Sequence, residues 1–200
     1  MLKVDVELDC EVSAIELHEL EVTPPKPGFD HEVELAVAAA RKGKVADTRA
    51  ARQLYRRFGL DPTRHRPSSE ALLRRVLRGD ELPRINSLVD IANVLSLRLQ
   101  VPVGLYDLAH VRDGRLKLRL GRPGEAYTGI GKERVNVSGR ICVADAEGPC
   151  GNPSSDSRRT MITTSTESAA WIYFLPVPHA ALEQTAQLVA MYGRGLVRIA

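Results

Sequence analysis

Apolar and polar positions along this chain change period several times, and each change marks an element. Residues 2–8, LKVDVEL, alternate apolar and charged, which predicts a half-buried strand. Leu17–Val22 predicts a second strand, and the proline-rich run 23–28 then breaks regular structure. Asp30 is placed to cap a helix reaching Lys42, with Val33, Leu35, Ala36 and Val37 on its apolar side. Asp47 or Thr48 opens the next helix, which carries Leu54, Tyr55 and Phe58 and stops at Gly59. Ser68 or Ser69 caps a third, whose Leu72, Leu73, Val76 and Leu77 share one face.

The fourth helix is the most informative. Asn86 or Ser87 caps it, and Ser87-x-x-Asp90 fits a capping box with Asp in place of Glu. Leu88, Val89, Ile91, Ala92, Val94, Leu95 and Leu97 make it a buried helix. Yet Asn86, Asp90 and Asn93 fall at i, i+4 and i+7 and form a polar stripe. Such a stripe is costly unless each group is hydrogen-bonded, so it either locks the fold internally or lines a pocket. Capping accounts for Asn86, and Asp90 either completes that cap or joins the pocket stripe. Asn93 is mid-helix, where Asn is disfavoured, and is the pocket candidate of the three.

After Pro102 the pattern turns to period two. VPVGLYD is β-like, and RLKLRL (115–120) alternates with Leu116, Leu118 and Leu120 inward and its basic residues outward. Short strands follow at Tyr127, 135–137 and 140–144. Residues 148–160 predict an irregular loop, AAWIYFL (169–175) a buried strand, and 180–191 an amphipathic helix. The expected fold is α+β: one layered domain over residues 1–200, with N-terminal helices packed on a mostly antiparallel or mixed β-rich half.

Charge divides the chain unevenly. Residues 1–40 carry two basic and ten acidic residues, whereas residues 41–84 carry 13 basic and five acidic. The basic block includes Arg52, Arg56, Arg57, Arg64, Arg66, Arg74, Arg75 and Arg78. It suits a polyanion, nucleic acid first, or else a solvated face that pairs with the acidic N-terminus. Three cysteines without metal spacing and scattered histidines point to a reduced, cytoplasmic protein with no metal and no cofactor. No apolar run spans a bilayer, and the acidic, alternating start is neither a signal nor a transit peptide. Gly129-Ile130-Gly131-Lys132 lacks the strand–helix context of a phosphate loop.

Two further segments carry candidate chemistry. Gly104 permits close backbone approach, and Tyr106 beside it forms either a pocket wall or core. Asp156, Ser157, Arg158, Arg159 and Thr160, with Ser155 before them, either grip a phosphate or carboxylate or form a solvated loop. No nucleophile–base arrangement stands out, so any catalysis rests on positioning and electrostatics.

RRFGLDPTRHRPSSEALLRRVL, then LPRINSLVDIANVLSLRLQVPVGLYDL, then DSRRT followed by TTSTES, resembles freestanding relatives of the editing domain of bacterial phenylalanyl-tRNA synthetase. In the synthetase that domain is the third and fourth domains of the β subunit. The resemblance covers residues 50–178 and leaves 1–45 as an acidic extension or sheet edge. It implies a pocket between helix and sheet that hydrolyses tyrosine wrongly attached to the phenylalanine tRNA. Asn93 falls on a pocket asparagine of the family and Pro102 on a pocket-wall proline. Gly104 stands where the family has a histidine, and the family glutamate that reads the tyrosine hydroxyl falls near Arg158. The fold therefore carries over and the substrate does not. The expected activity is hydrolysis of a misacylated aminoacyl-tRNA in trans by a positioned water. The alternative is a non-catalytic module for an amino-acid-like small molecule or a protein partner.

Overall fold

The run Ala169–Tyr173 becomes strand β10, and every one of its residues is buried. It is apolar throughout because packed layers cover both of its faces. The computed structural model describes residues 2–199 and shows where those layers come from. One sheet has the order β11 (Leu196–Ile199), β2 (Ser13–His18), β10, β3 (Val103–Asp107), all antiparallel. A second has the order β1 (Lys3–Val6), β4 (Arg115–Leu120), β7 (Ile141–Ala144), β8 (Pro149–Asn152), β9 (Ser155–Asp156), with β1 and β4 parallel.

Period two in β10 and its neighbours sorts side chains between the layers. Ile15, Leu17, Leu105, Trp171 and Tyr173 face helices α1 (Asp30–Arg41), α3 (Ser68–Leu77), α4 (Ser87–Leu99) and α5 (His179–Leu188). Tyr106, Ala170 and Ile172 face the second sheet, meeting Leu116, Leu118, Ile141, Val143 and Cys150, with Leu54 of α2 (Arg49–Arg57). A hairpin of β5 (Ala126–Gly129) and β6 (Lys132–Asn136) covers the far side of that sheet over Val137 and Cys142. The expected α+β architecture is therefore observed, in the layer order helices, sheet, sheet, hairpin.

α4 is held at both ends. Asn86 accepts the Val89 N–H at 3.0 Å, and Gln100, at φ 51°, donates to the Leu97 carbonyl at 2.7 Å. Nine of its 13 residues are buried. At about 1.5–3 kcal/mol per large aliphatic side chain, this burial outweighs the cost of its few polar groups, provided those are paired.

Several local expectations are corrected. β2 starts at Ser13 rather than Leu17, because Glu19 takes a positive φ of 51° and ends the strand. Phe29, not Asp30, occupies the N-cap of α1, and Asp30 pairs with Arg84. Pro67 precedes α3, so neither serine caps it by side chain, and Leu77 is 57% exposed. In β4 the outer face is solvated at Arg115 and Lys117, as expected, but not at Arg119, beside the hairpin. Arg119 is thus buried in a two-bond pair with Glu125 (2.7 and 3.0 Å), and Leu120 is exposed. Residues 148–160 are not one irregular loop, since β8 and β9 form a hairpin there. Asn152 Oδ1 closes its turn by accepting the N–H groups of Ser154 and Ser155. The N-terminal segment is not an appendage either: β1 is a sheet edge, but β2 lies inside its sheet between β11 and β10. No helix among the described residues is long and apolar enough to cross a membrane.

Candidate functional site

β3 is the edge strand of its sheet, and β9 of the second sheet comes against it. Between this junction, α3 and α4 lies a cleft of about 390 Å³. Its walls are largely apolar: Leu72, Ile85, Val89, Leu105, Ile130 and Ile162 among others. Polar groups are few. Asn93 and Ser96 enter from α4, and Ser154, Ser155 and Asp156 from the β8–β9 hairpin. Asn93 donates to the Pro83 carbonyl at 3.3 Å, while its Oδ1 accepts no hydrogen bond from the described residues.

Asp156 links the two sheets. Its Oδ2 accepts the Leu105 N–H at 3.3 Å, satisfying an edge donor of β3. Its Oδ1 is buried, and so is the hydroxyl of Tyr106; neither meets hydrogen-bond geometry with any group of the described residues. Both lie within 3 Å of the point a Cβ on Gly151 would occupy, the hydroxyl at 2.6 Å and the carboxylate at 2.9 Å. They are near enough to feel each other. Burial pushes the Asp156 carboxyl up to about 7, with the Leu105 N–H and the Tyr106 hydroxyl opposing. Burial, and then the Asp156 charge, hold the Tyr106 hydroxyl well above its ordinary value.

Of the pocket residues expected from sequence, Asn93, Ser155 and Asp156 meet in this cleft. The others lie elsewhere. Asn86 caps α4 and donates to the Ile162 carbonyl at 3.3 Å. Asp90 is buried, accepting the Ile85 N–H and the Arg84 Nε, both at 2.7 Å. Pro102 is tied to β10, its carbonyl accepting the Phe174 N–H at 3.0 Å. Gly104 faces the sheet–sheet core, where any side chain would overlap the Tyr106 ring. Tyr106 fills that core instead of walling the cleft. Ser157 is buried and accepts the Arg159 N–H at 3.1 Å, and Thr160 donates to the Cys150 carbonyl at 3.4 Å. Arg158 is exposed, and Arg159 is taken by Asp145 through two bonds of 2.8 and 2.9 Å. The carboxylate in the cleft is thus Asp156, two residues before the position expected from the resemblance.

A second, wider depression of about 530 Å³ adjoins the cleft and shares Ala71, Ser154 and Ser155 with it. Arg64, His65, Arg66, Lys132, Arg134 and Arg140 line it, and no carboxylate of the described residues does. Sequence reasoning missed Lys132, Arg134 and Arg140. The signal for the first two was there in KERVN, where Lys132 and Arg134 alternate onto one face of β6. The remaining helical arginines are mostly occupied. Arg52 reaches buried Glu70 at 2.9 Å and Arg74 reaches it at 3.2 Å; Arg57 pairs with Asp9. Arg78 pairs with Asp80 at 3.1 Å, and Arg75 donates to the Glu81 carbonyl at 2.6 Å. Arg56 is exposed without an ion pair among the described residues.

The architecture is a layered α+β domain with a mostly apolar cleft at a helix–sheet junction, flanked by a cationic depression. The family model described as the B3/4 domain matches residues 50–190, and this chain belongs to that family. It is 32% identical over 128 residues to the phenylalanine–tRNA ligase β subunit of Symbiobacterium thermophilum, covering 64% of this chain and 14% of that protein. To the same subunit of Bartonella henselae it is 31% identical over 119 residues, covering 56% and 13%. The chain thus spans about a seventh of the curated relatives it matches. Its fold is similar to the crystal structure of an N-terminal fragment of the phenylalanyl-tRNA synthetase β subunit from Pyrococcus horikoshii. That likeness has a TM-score of 0.50 at 14% identity and covers 99% of this chain and 52% of the other.

Proposed function

We propose that this chain hydrolyses the ester of a misacylated aminoacyl-tRNA in trans, in a reducing cytoplasmic setting. The observation that carries this reading is the cleft: a space of amino-acid size, in a B3/4 domain, with Asn93, Ser155 and Asp156 converging on it. The apolar walls take the amino-acid side chain. Asn93 Oδ1 is available to the ammonium group, and ionised Asp156 supplies the one carboxylate among the described lining residues. The rate comes from holding a water against the ester carbonyl rather than from a covalent intermediate. A nucleophile–base pair does not line the cleft, which also favours a second reading, non-catalytic capture of an amino-acid-like molecule.

Incubating the purified protein with tRNAs carrying Tyr, Phe, Ser, Thr or Ala separates the two. Selective release from one species supports hydrolysis and names the substrate. Stoichiometric binding of an amino acid or its ester analogue without turnover supports the second reading. Asn93→Ala is expected to lower release at least tenfold while leaving the unfolding midpoint within a few degrees of the parent.

A further inference from the structure

We propose that the cationic depression beside the cleft is an RNA-strand groove, holding the phosphodiester backbone of the nucleotides that precede the aminoacylated 3′ end. The inference rests on the deacylase reading for the identity of its ligand, but its evidence is separate. Five cationic side chains, with His65 beside them, line the groove, and no carboxylate of the described residues does. Lys132 and Arg134 are exposed and have no ion-pair partner among the described residues. Arg140 donates only to the Asn136 carbonyl, at 3.2 Å. Arg64 is 3.8 Å from Asp61 and largely exposed. Arg66 is committed like the helical arginines, its buried Nε lying 3.6 Å from Glu70. Lys132, Arg134 and Arg140 thus stand together without a carboxylate partner among the described residues, and such a cluster suits an anionic ligand.

The rival path runs over the arginines of α2 and α3. Those side chains are spent on Glu70, Asp9, Asp80 and the Glu81 carbonyl, so a phosphate there must displace a partner already in place. At Lys132, Arg134 and Arg140 it displaces no carboxylate of the described residues, only water and counter-ions, which is the favourable term in nucleic-acid binding. Position agrees as well. Ser154, Ser155 and Ala71 belong to both hollows, so a strand lying in the groove delivers its terminal ribose to the cleft mouth. A cationic groove that follows one strand, without base-specific contacts, is a recurrent solution for single-stranded ends.

The test is fluorescence anisotropy with end-labelled, deacylated tRNA from 50 to 200 mM salt, comparing the parent with Lys132→Ala/Arg134→Ala and with Arg75→Ala/Arg78→Ala. The groove variant is expected to bind about tenfold or more weakly, with a salt slope shallower by roughly one to two. A tRNA lacking its terminal CCA is expected to bind the parent more weakly than intact tRNA and to be less sensitive to the groove substitutions. The inference is overturned if the groove variant binds like the parent, if the helical variant loses as much, or if the parent does not bind tRNA. Deacylation is scored independently on the same samples. Groove-dependent binding with no release from any aminoacyl-tRNA leaves the groove standing and removes the deacylase. Release that persists undiminished in the groove variant does the reverse.

Discussion

At the scale of single residues, the most consequential group is Asp156. Its carboxyl ionises near 7 in the folded protein, against about 4 for an unperturbed one. Between those values the folded state holds more protons than the unfolded, so this group's contribution to stability falls as pH rises from about 4 and levels off above about 7. Asp156→Asn keeps an acceptor for the Leu105 N–H and adds a donor towards Tyr106. The variant is therefore expected to be more stable than the parent at pH 8, by about 1 kcal/mol or more, and to match it near pH 4.5. Urea unfolding at the two pH values checks this; a gap that is the same at both would show that the carboxyl is not perturbed. In the parent, substrate affinity that depends on ionised Asp156 should increase between pH 6 and 8.

At the scale of the element, α4 shows how one polar stripe serves two ends. Asn86 and Asp90 tie the helix to its surroundings; Asn93, one turn further, opens on the cleft. Asn86→Ala is expected to cost about 1–2 kcal/mol as a lost cap. Asp90→Ala strips the carboxylate from Arg84 and the Ile85 N–H and is expected to cost about 3 kcal/mol. Thermal unfolding ranks them, with Asn93→Ala the mildest of the three. This division was half legible in the sequence. Capping chemistry is local, so spacing alone identified Asn86 and placed Asp90 near the cap. Spacing could not show that Gly104 and Tyr106 turn away from the cleft, because that depends on which face of β3 the second sheet covers. Nor could it show β8 and β9: PCGN and SD lack β-branched and aromatic residues, and Gly151 is there because a Cβ would strike Tyr106. The buried Arg119 was hidden for a related reason, since alternation marks two faces but not how many layers cover them.

At the scale of the molecule, the span matched by the family and the folding unit differ. The B3/4 match runs over residues 50–190, yet β2 and β11 lie outside it and β2 is the neighbour of β10. A chain of residues 50–190 would leave one edge of the fully buried β10 unpaired and strip Ile15 and Leu17 from the helix-side core. Such a fragment is expected to aggregate or lack a cooperative thermal transition, and residues 1–200 are expected to show one; circular dichroism and gel filtration distinguish these outcomes. The layered order has one more consequence, and it follows from Asp156. This residue belongs to one sheet, holds the edge of the other, and forms cleft wall at the same time. Like a staple through two pages, it makes the spacing of the sheets and the width of the cleft one variable. Ligand preference can therefore drift through changes at hidden positions such as Ala170 or Gly151, with every residue that touches the ligand left as it is.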